Sequence, residues 1–147
     1  MAQLDICHVL RVISDEKSLT LFNTIAIATH RATIAISRLK LTKKQYYSRM
    51  SAMIDADLIT RRRGRYYLTS FGKVVYEAQM LICRAQENYW KLKAIDTIES
   101  SNNALTPGQR TRFIDSLIAD SDLKRILLSG KENNVELILL QRTSSQV

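Results

Sequence analysis

The sequence predicts a mainly α-helical chain carrying one small β-hairpin. Three observations lead there. Apolar residues recur at three- and four-residue spacing through most of the chain, the period of helices packed on one face. That period breaks once, where Leu58-Ile59-Thr60-Arg61-Arg62-Arg63 and Arg65-Tyr66-Tyr67-Leu68-Thr69 flank Gly64 and read as two strands about a turn. One proline and four glycines in 147 residues supply too few turns for an all-β sandwich. A composition of 46% hydrophobic and 24% charged residues is an ordinary globular mixture, which argues against wholesale disorder.

Each element has its own local signal. Ile6, Val9, Leu10 and Ile13 stand at helical spacing and suit a short leading helix. Ser14-Asp15-Glu16 opens the next, with Ser14 as cap and acids in the first turn, where the helix dipole favours them. Its apolar face is Leu19, Phe22, Ile25 and Ala26, and it runs to about Thr29. Residues 33–39 suggest two further helical turns, followed by a tight Lys40-Leu41-Thr42 connection. Thr42 caps a helix over 43–56 whose inward stripe is Tyr46, Met50, Met53 and Ile54. Asp57 ends it, because Asp can adopt the left-handed conformation that usually calls for glycine.

After the hairpin, Ser70 is the expected cap of a long helix. Phe71, Val75, Ala78, Ile82, Ala85, Tyr89 and Leu92 keep a 3.5-residue period. Such a helix reaches Ile98, about 42 Å at 1.5 Å per residue. Its second half outruns a domain of this size, so Ile82, Ala85, Tyr89 and Leu92 are expected at a dimer interface. Packing against the helices after Pro107 is the other explanation of the same stripe. A polar loop over 99–105 precedes Thr106-Pro107, a cap with proline at the first helical position. Phe113, Ile114, Leu117 and Ile118 line the helix that follows. Asp120-Ser121-Asp122 restarts a short helix that Ser129-Gly130 stops, and residues 135–140 are apolar but ambiguous between helix and strand. The chain thus divides into a domain over 1–75, a long helix over 70–98 and a helical extension over 106–147.

The net charge of +8 is confined to one half. Residues 1–74 hold 13 basic and five acidic side chains, and the remainder nine of each. A half-chain this basic points to a polyanion partner. The strongest single signal is Arg61-Arg62-Arg63-Gly64-Arg65, four guanidinium groups around a turn, suited to phosphates and to a narrow minor groove.

Helix, helix, Thr-capped helix, basic hairpin, helix is the order of a winged helix-turn-helix. The runs Ile36–Met50 and Leu58–Gly72, with Leu58-Ile59 closing the capped helix and Leu68-Thr69…Gly72 after the hairpin, resemble archaeal winged-helix transcription regulators and, more distantly, the MarR and ArsR groups. The resemblance spans roughly residues 14–98, and Asp57 departs from the glycine usual there. It implies double-stranded DNA as partner, with the helix over 43–56 in the major groove and the hairpin as wing over 61–66. With Tyr46, Met50 and Met53 inward, Lys43, Lys44, Tyr47, Ser48 and Ser51 fall outward, and Lys44 and Tyr47 lead as base contacts. Thr42 and Lys43 suit a phosphate at the helix N-terminus. Gln45 and Arg49 flank that face. Arg61, Arg62, Arg63 and Arg65, with Arg31, Arg38 and Lys40, complete the expected backbone contacts.

No enzyme signature emerges. His8 and His30 lack neighbouring ligand patterns, and Cys7 and Cys83 lack CxxC spacing, so no metal or cofactor is expected. Asp120 and Asp122 read as helix caps rather than a carboxylate pair. Redox sensing at Cys83 and an effector pocket at Tyr89 and Trp90 have no support beyond position. No stretch of 18 apolar residues occurs, and Met1–Leu10 lacks the basic start of a signal peptide, so a cytoplasmic location is expected. The competing reading is a winged helix used for protein contact within a multiprotein assembly.

Overall fold

A computed structural model of the chain describes residues 4–27, 38–101 and 105–129. Most of the helix expected over 33–39 lies outside the described residues, as do Arg31, His30, residues 102–103, Gly130 and the apolar run over 135–140. Within the described part the protein is mainly helical with a two-stranded antiparallel hairpin. It divides into two units, Met1–Met80 and Leu81–Val147.

The first unit begins with α1 (Ile6–Val12), capped by the Asp5 carboxylate, which accepts from the Cys7 N–H at 3.0 Å. α2 (Glu16–Ile27) is capped by Asp15 rather than Ser14. Asp15 Oδ1 accepts from the Ser18 N–H, whereas the Ser14 hydroxyl turns back to donate to the Arg11 carbonyl and close α1. A carboxylate also suits the positive end of the helix dipole better than a neutral hydroxyl. α2 buries Leu21, Phe22 and Ile25.

α3 (Lys43–Asp55) starts at the expected cap. Thr42 and Gln45 form a reciprocal capping box, each side chain bonded to the other's backbone N–H. Its buried side chains are Tyr46, Met50 and Met53. Ile54, expected on the same stripe, is 40% exposed: one residue past Met53, it lies about 100° around the helix and beyond the edge of the buried face. Asp57 takes the left-handed conformation at φ +57°. The Asp57 N–H then reaches the Ile54 carbonyl and the Leu58 N–H that of Met53, the paired bonds of a Schellman closure. Leu58 and Met53, at the two ends of the outer bond, are both fully buried.

β1 (Ile59–Arg62) pairs with β2 (Arg65–Leu68) in the register Ile59↔Leu68, Thr60↔Tyr67, Arg61↔Tyr66 and Arg62↔Arg65. Arg63, expected in the strand, is in the turn with Gly64. Both have positive φ, +50° and +78°, as a two-residue type I′ connection requires.

Thr69, not Ser70, caps α4 (Ser70–Glu87). Its hydroxyl accepts from the Gly72 N–H at 2.8 Å and donates to the Asp57 carbonyl, tying the start of α4 to the end of α3. The helix lies so close to the residue ahead of β1 that a Cβ on Gly72 would sit 1.9 Å from the Leu58 carbonyl oxygen. Around this contact Phe22, Leu21, Met50, Met53, Leu58 and Ile59 form the fully buried centre of the first unit.

The single helix expected over 70–98 is two. α4 ends at Glu87, and α5 (Tyr89–Glu99) begins after Asn88. The cause is local: the Asn88 side chain donates to the Arg84 carbonyl at 2.9 Å, and its N–H is shared between the Arg84 and Ala85 carbonyls. An amide side chain that competes for backbone acceptors in this way interrupts a helix.

In the second unit α5 is followed by α6 (Pro107–Leu117), opened by a Thr106–Gln109 capping box, and α7 (Ser121–Leu128), capped by Asp120. Ile95, Ile114, Ile118 and Leu123 are its buried centre, with Leu81, Ala85 and Leu92 packed against them. Arg84 pairs with both Asp120 (2.9 Å) and Asp122 (3.0 Å). Ala85 and Leu92, expected at a dimer interface, therefore serve the unit's own core, because α6 and α7 supply the apolar surface that the stripe needs. Ile82 and Tyr89 of the same stripe are 66% and 49% exposed. Among the described residues, no helix is long and apolar enough to cross a membrane.

Candidate nucleic-acid interface

The amphipathic pattern of α3 sets out the first half of the site. Burying Tyr46, Met50 and Met53 turns Lys43, Lys44, Tyr47, Ser48 and Ser51 outward, and all five are exposed. Tyr47 is 58% exposed, and its ring meets the buried Tyr46 ring edge-on at 5.2 Å. Two expected contact residues have other work: Thr42 and Gln45 spend their side chains on the capping box, holding the first turn of α3 in place.

Arg49 is likewise engaged. Its Nη1 donates to both carboxylate oxygens of Asp15, at 2.7 and 2.8 Å, and to the Ser18 hydroxyl at 2.7 Å. This clamp through a single guanidinium nitrogen binds α3 to the start of α2, so Arg49 positions the helix instead of presenting a free charge. Burial would raise the Asp15 carboxyl, but the hydrogen bonds from Ser18 and the charge of Arg49 outweigh it and hold the group below its ordinary value. The clamp joins residues 34 positions apart, and no local pattern pointed to it.

The hairpin register sorts the arginines. Side chains alternate across the sheet, so Arg61 shares a face with buried Ile59, while Arg62 and Arg65 share the opposite face. Arg61 lies over the Tyr66 ring, its guanidinium carbon 5.6 Å from the centroid. Tyr66 and Arg61 are close enough to act on the Tyr46 hydroxyl. Burial first, then Tyr66 and Tyr47, push its pKa up, and Arg61 opposes them. This aromatic cluster connects the inward face of α3 to the hairpin. On the opposite face, Thr60, Arg62 and Tyr67 border an open groove of about 830 Å³ that also touches Ile25, Ile54 and Lys73. Arg63 occupies the tip.

Arg38 and Lys40 are exposed just ahead of the capping box. With Lys43, Lys44, Arg62 and Arg63 they make six exposed cations that carry no hydrogen bond or ion pair among the described residues. All six belong to the first unit.

No protein-family model, curated protein or solved structure matches this chain. What the surface can do follows from its charge and shape. α3 is about 20 Å long, and an α-helix of ordinary diameter fits a duplex major groove roughly 12 Å wide. Its exposed first turn offers ammonium and phenol groups that can reach base edges, and the flanking cations suit phosphates.

In the second unit, Tyr89 and Trp90 are both exposed. They form an edge-to-face pair on the surface, with centroids 5.2 Å apart and Trp90 80% exposed. Cys7 is exposed and Cys83 half-buried.

Proposed function

We propose that the protein is a winged helix-turn-helix regulator of transcription that binds double-stranded DNA in a sequence-specific manner and acts as a homodimer. The observation that carries this reading is the coexistence, in one unit, of an outward α3 face and six unpaired cations around it, backed by a neutral buried core. Lys44 and Tyr47 read base edges from the first turn of α3, with Ser48 and Ser51 further along the groove. Arg38, Lys40 and Lys43 hold phosphates on the approach to the helix. Arg62, Arg63 and Arg65 follow the backbone or enter the minor groove from the hairpin. A second copy covers Ile82 and Tyr89, and two-fold pairing matches the symmetry of paired half-sites.

Selection of bound sequences from a random duplex pool tests this directly. The wild-type chain should enrich a defined motif. Lys44→Ala and Tyr47→Ala should each weaken the preferred sequence by about 1–3 kcal/mol for the lost base contact, with little effect on random DNA. Equal losses on both would move these residues to the backbone, and no enriched motif would refute sequence-specific binding.

A further inference from the structure

The backbone is left-handed at four described residues, and only one of them is glycine: Lys40 (φ +50°), Asp57 (+57°), Arg63 (+50°) and Gly64 (+78°). That region is unfavourable for any residue with a Cβ. Asp57 has a local reason to be there. Its short polar side chain tolerates the conformation, its N–H helps close α3, and its carbonyl accepts the Thr69 hydroxyl.

At Lys40, which directly follows the helical residues Arg38 and Leu39, and at Arg63, in the type I′ turn, the backbone calls for the left-handed conformation, but neither long side chain favours it. Both are exposed, and neither makes a hydrogen bond, ion pair or ring contact among the described residues. Asparagine would fit either position with less strain, and Asn-Gly is the favoured pair for the turn that Arg63-Gly64 makes. Both residues are cations. One stands two residues ahead of the cap of α3, and the other at the tip of the hairpin that follows α3. A side chain on a tight turn projects away from the chain, and a rigid turn loses less freedom when that side chain is captured.

We propose that Lys40 and Arg63 are phosphodiester anchors, kept at strained turns at the expense of fold stability, that set how α3 meets the duplex. This rests on the DNA-binding reading of the same surface. The ligand chemistry is the sugar-phosphate backbone, so the anchors act alike on every sequence. They differ in this from Lys44 and Tyr47.

The test uses the full chain with Lys40→Asn, Arg63→Asn and Arg63→Lys. Thermal melts are read beside fluorescence-anisotropy titrations of a random-sequence 30-base-pair duplex over a range of salt. Each Asn variant should melt about 2–4 °C higher as strain is relieved. Each should also lose about 0.9 from the magnitude of the log–log salt slope, an affinity loss of about eightfold at 0.1 M salt. Arg63→Lys should keep the wild-type slope. A purely structural turn residue would not raise stability and lower affinity together. If the Asn variants keep the wild-type slope, or melt lower than wild type, the anchor proposal is overturned while the wild-type slope still supports DNA binding. If the wild-type chain itself shows no slope, both readings fall.

Discussion

Gly72→Ala separates local propensity from tertiary contact by its sign. In an exposed helical position alanine is favoured over glycine by about 1 kcal/mol. At Gly72 the new Cβ would meet the Leu58 carbonyl oxygen at 1.9 Å and the Thr69 hydroxyl at 3.2 Å. Restoring even a 3.0 Å separation from that oxygen moves α4 and Leu58 apart by at least 1.1 Å. The movement strains the Thr69 bonds to Asp57 and Gly72 and opens the contact beside Leu58 and Ile59. Overpacking costs about 1–3 kcal/mol and each weakened hydrogen bond about 1 kcal/mol. After the propensity gain, a net destabilisation of about 2–4 kcal/mol remains, equivalent to about 10–20 °C in the melting temperature of a unit this size. The control is Gly108→Ala in α6, where a Cβ meets nothing within 4 Å. Circular dichroism at 222 nm should show a large fall for the first variant and an unchanged or slightly higher midpoint for the second. Matching melts for the two would refute the close approach of α4 to Leu58.

Other expectations concern the clamp and the second unit. Because the Asp15 carboxyl is held below its ordinary value of 3.8, its pair with Arg49 stabilises the fold above that pH and is lost as pH falls through the lower folded value. The pair is partly exposed, so its worth is small, below about 1 kcal/mol. Asp15→Asn keeps a competent cap, so its melting deficit at pH 7 should shrink only below pH 3.8 and vanish once the folded carboxyl is protonated, and a deficit that persists unchanged through that titration would count against the ion pair. Ile82→Asp combined with Tyr89→Asp should keep the far-ultraviolet circular dichroism of the folded chain and halve the mass in sedimentation velocity; an unchanged mass would rule out self-association through this face. Ala85→Asp, in contrast, places a charge against the second core and should unfold that unit.

Local signals in the sequence foretold local structure well. Thr42 and Thr106 begin helices where expected, each with a glutamine completing the box, and Asp57 ends α3 in the left-handed conformation. The inward stripe of α3 was legible because three side chains at helical spacing needed one core. What escaped depends on partners far along the chain or on competition between neighbours. The Asn88 interruption arises from a side chain that takes an Arg84 acceptor, which an apolar period cannot reveal. The engagement of Arg49 by Asp15 and the approach of Gly72 to Leu58 need the folded arrangement. The stripe through α4 and α5 was visible but fitted either a second copy or the helices after Pro107, and Ala85 and Leu92 pack with the chain's own α6 and α7 residues. In the candidate site, charge was readable from composition, whereas the distinction between engaged and unpaired cations was not.

The most direct measurement is the salt dependence of duplex binding by the intact protein, compared with the Arg62→Ala, Arg63→Ala, Arg65→Ala triple variant. The six cations assigned to phosphates, Arg38, Lys40, Lys43, Arg62, Arg63 and Arg65, predict a log–log slope near −5 for each protomer, and the triple variant should flatten it to about −2 to −3. A wild-type slope near zero, or the same slope in both proteins, would contradict a DNA interface built from α3 and the arginine hairpin.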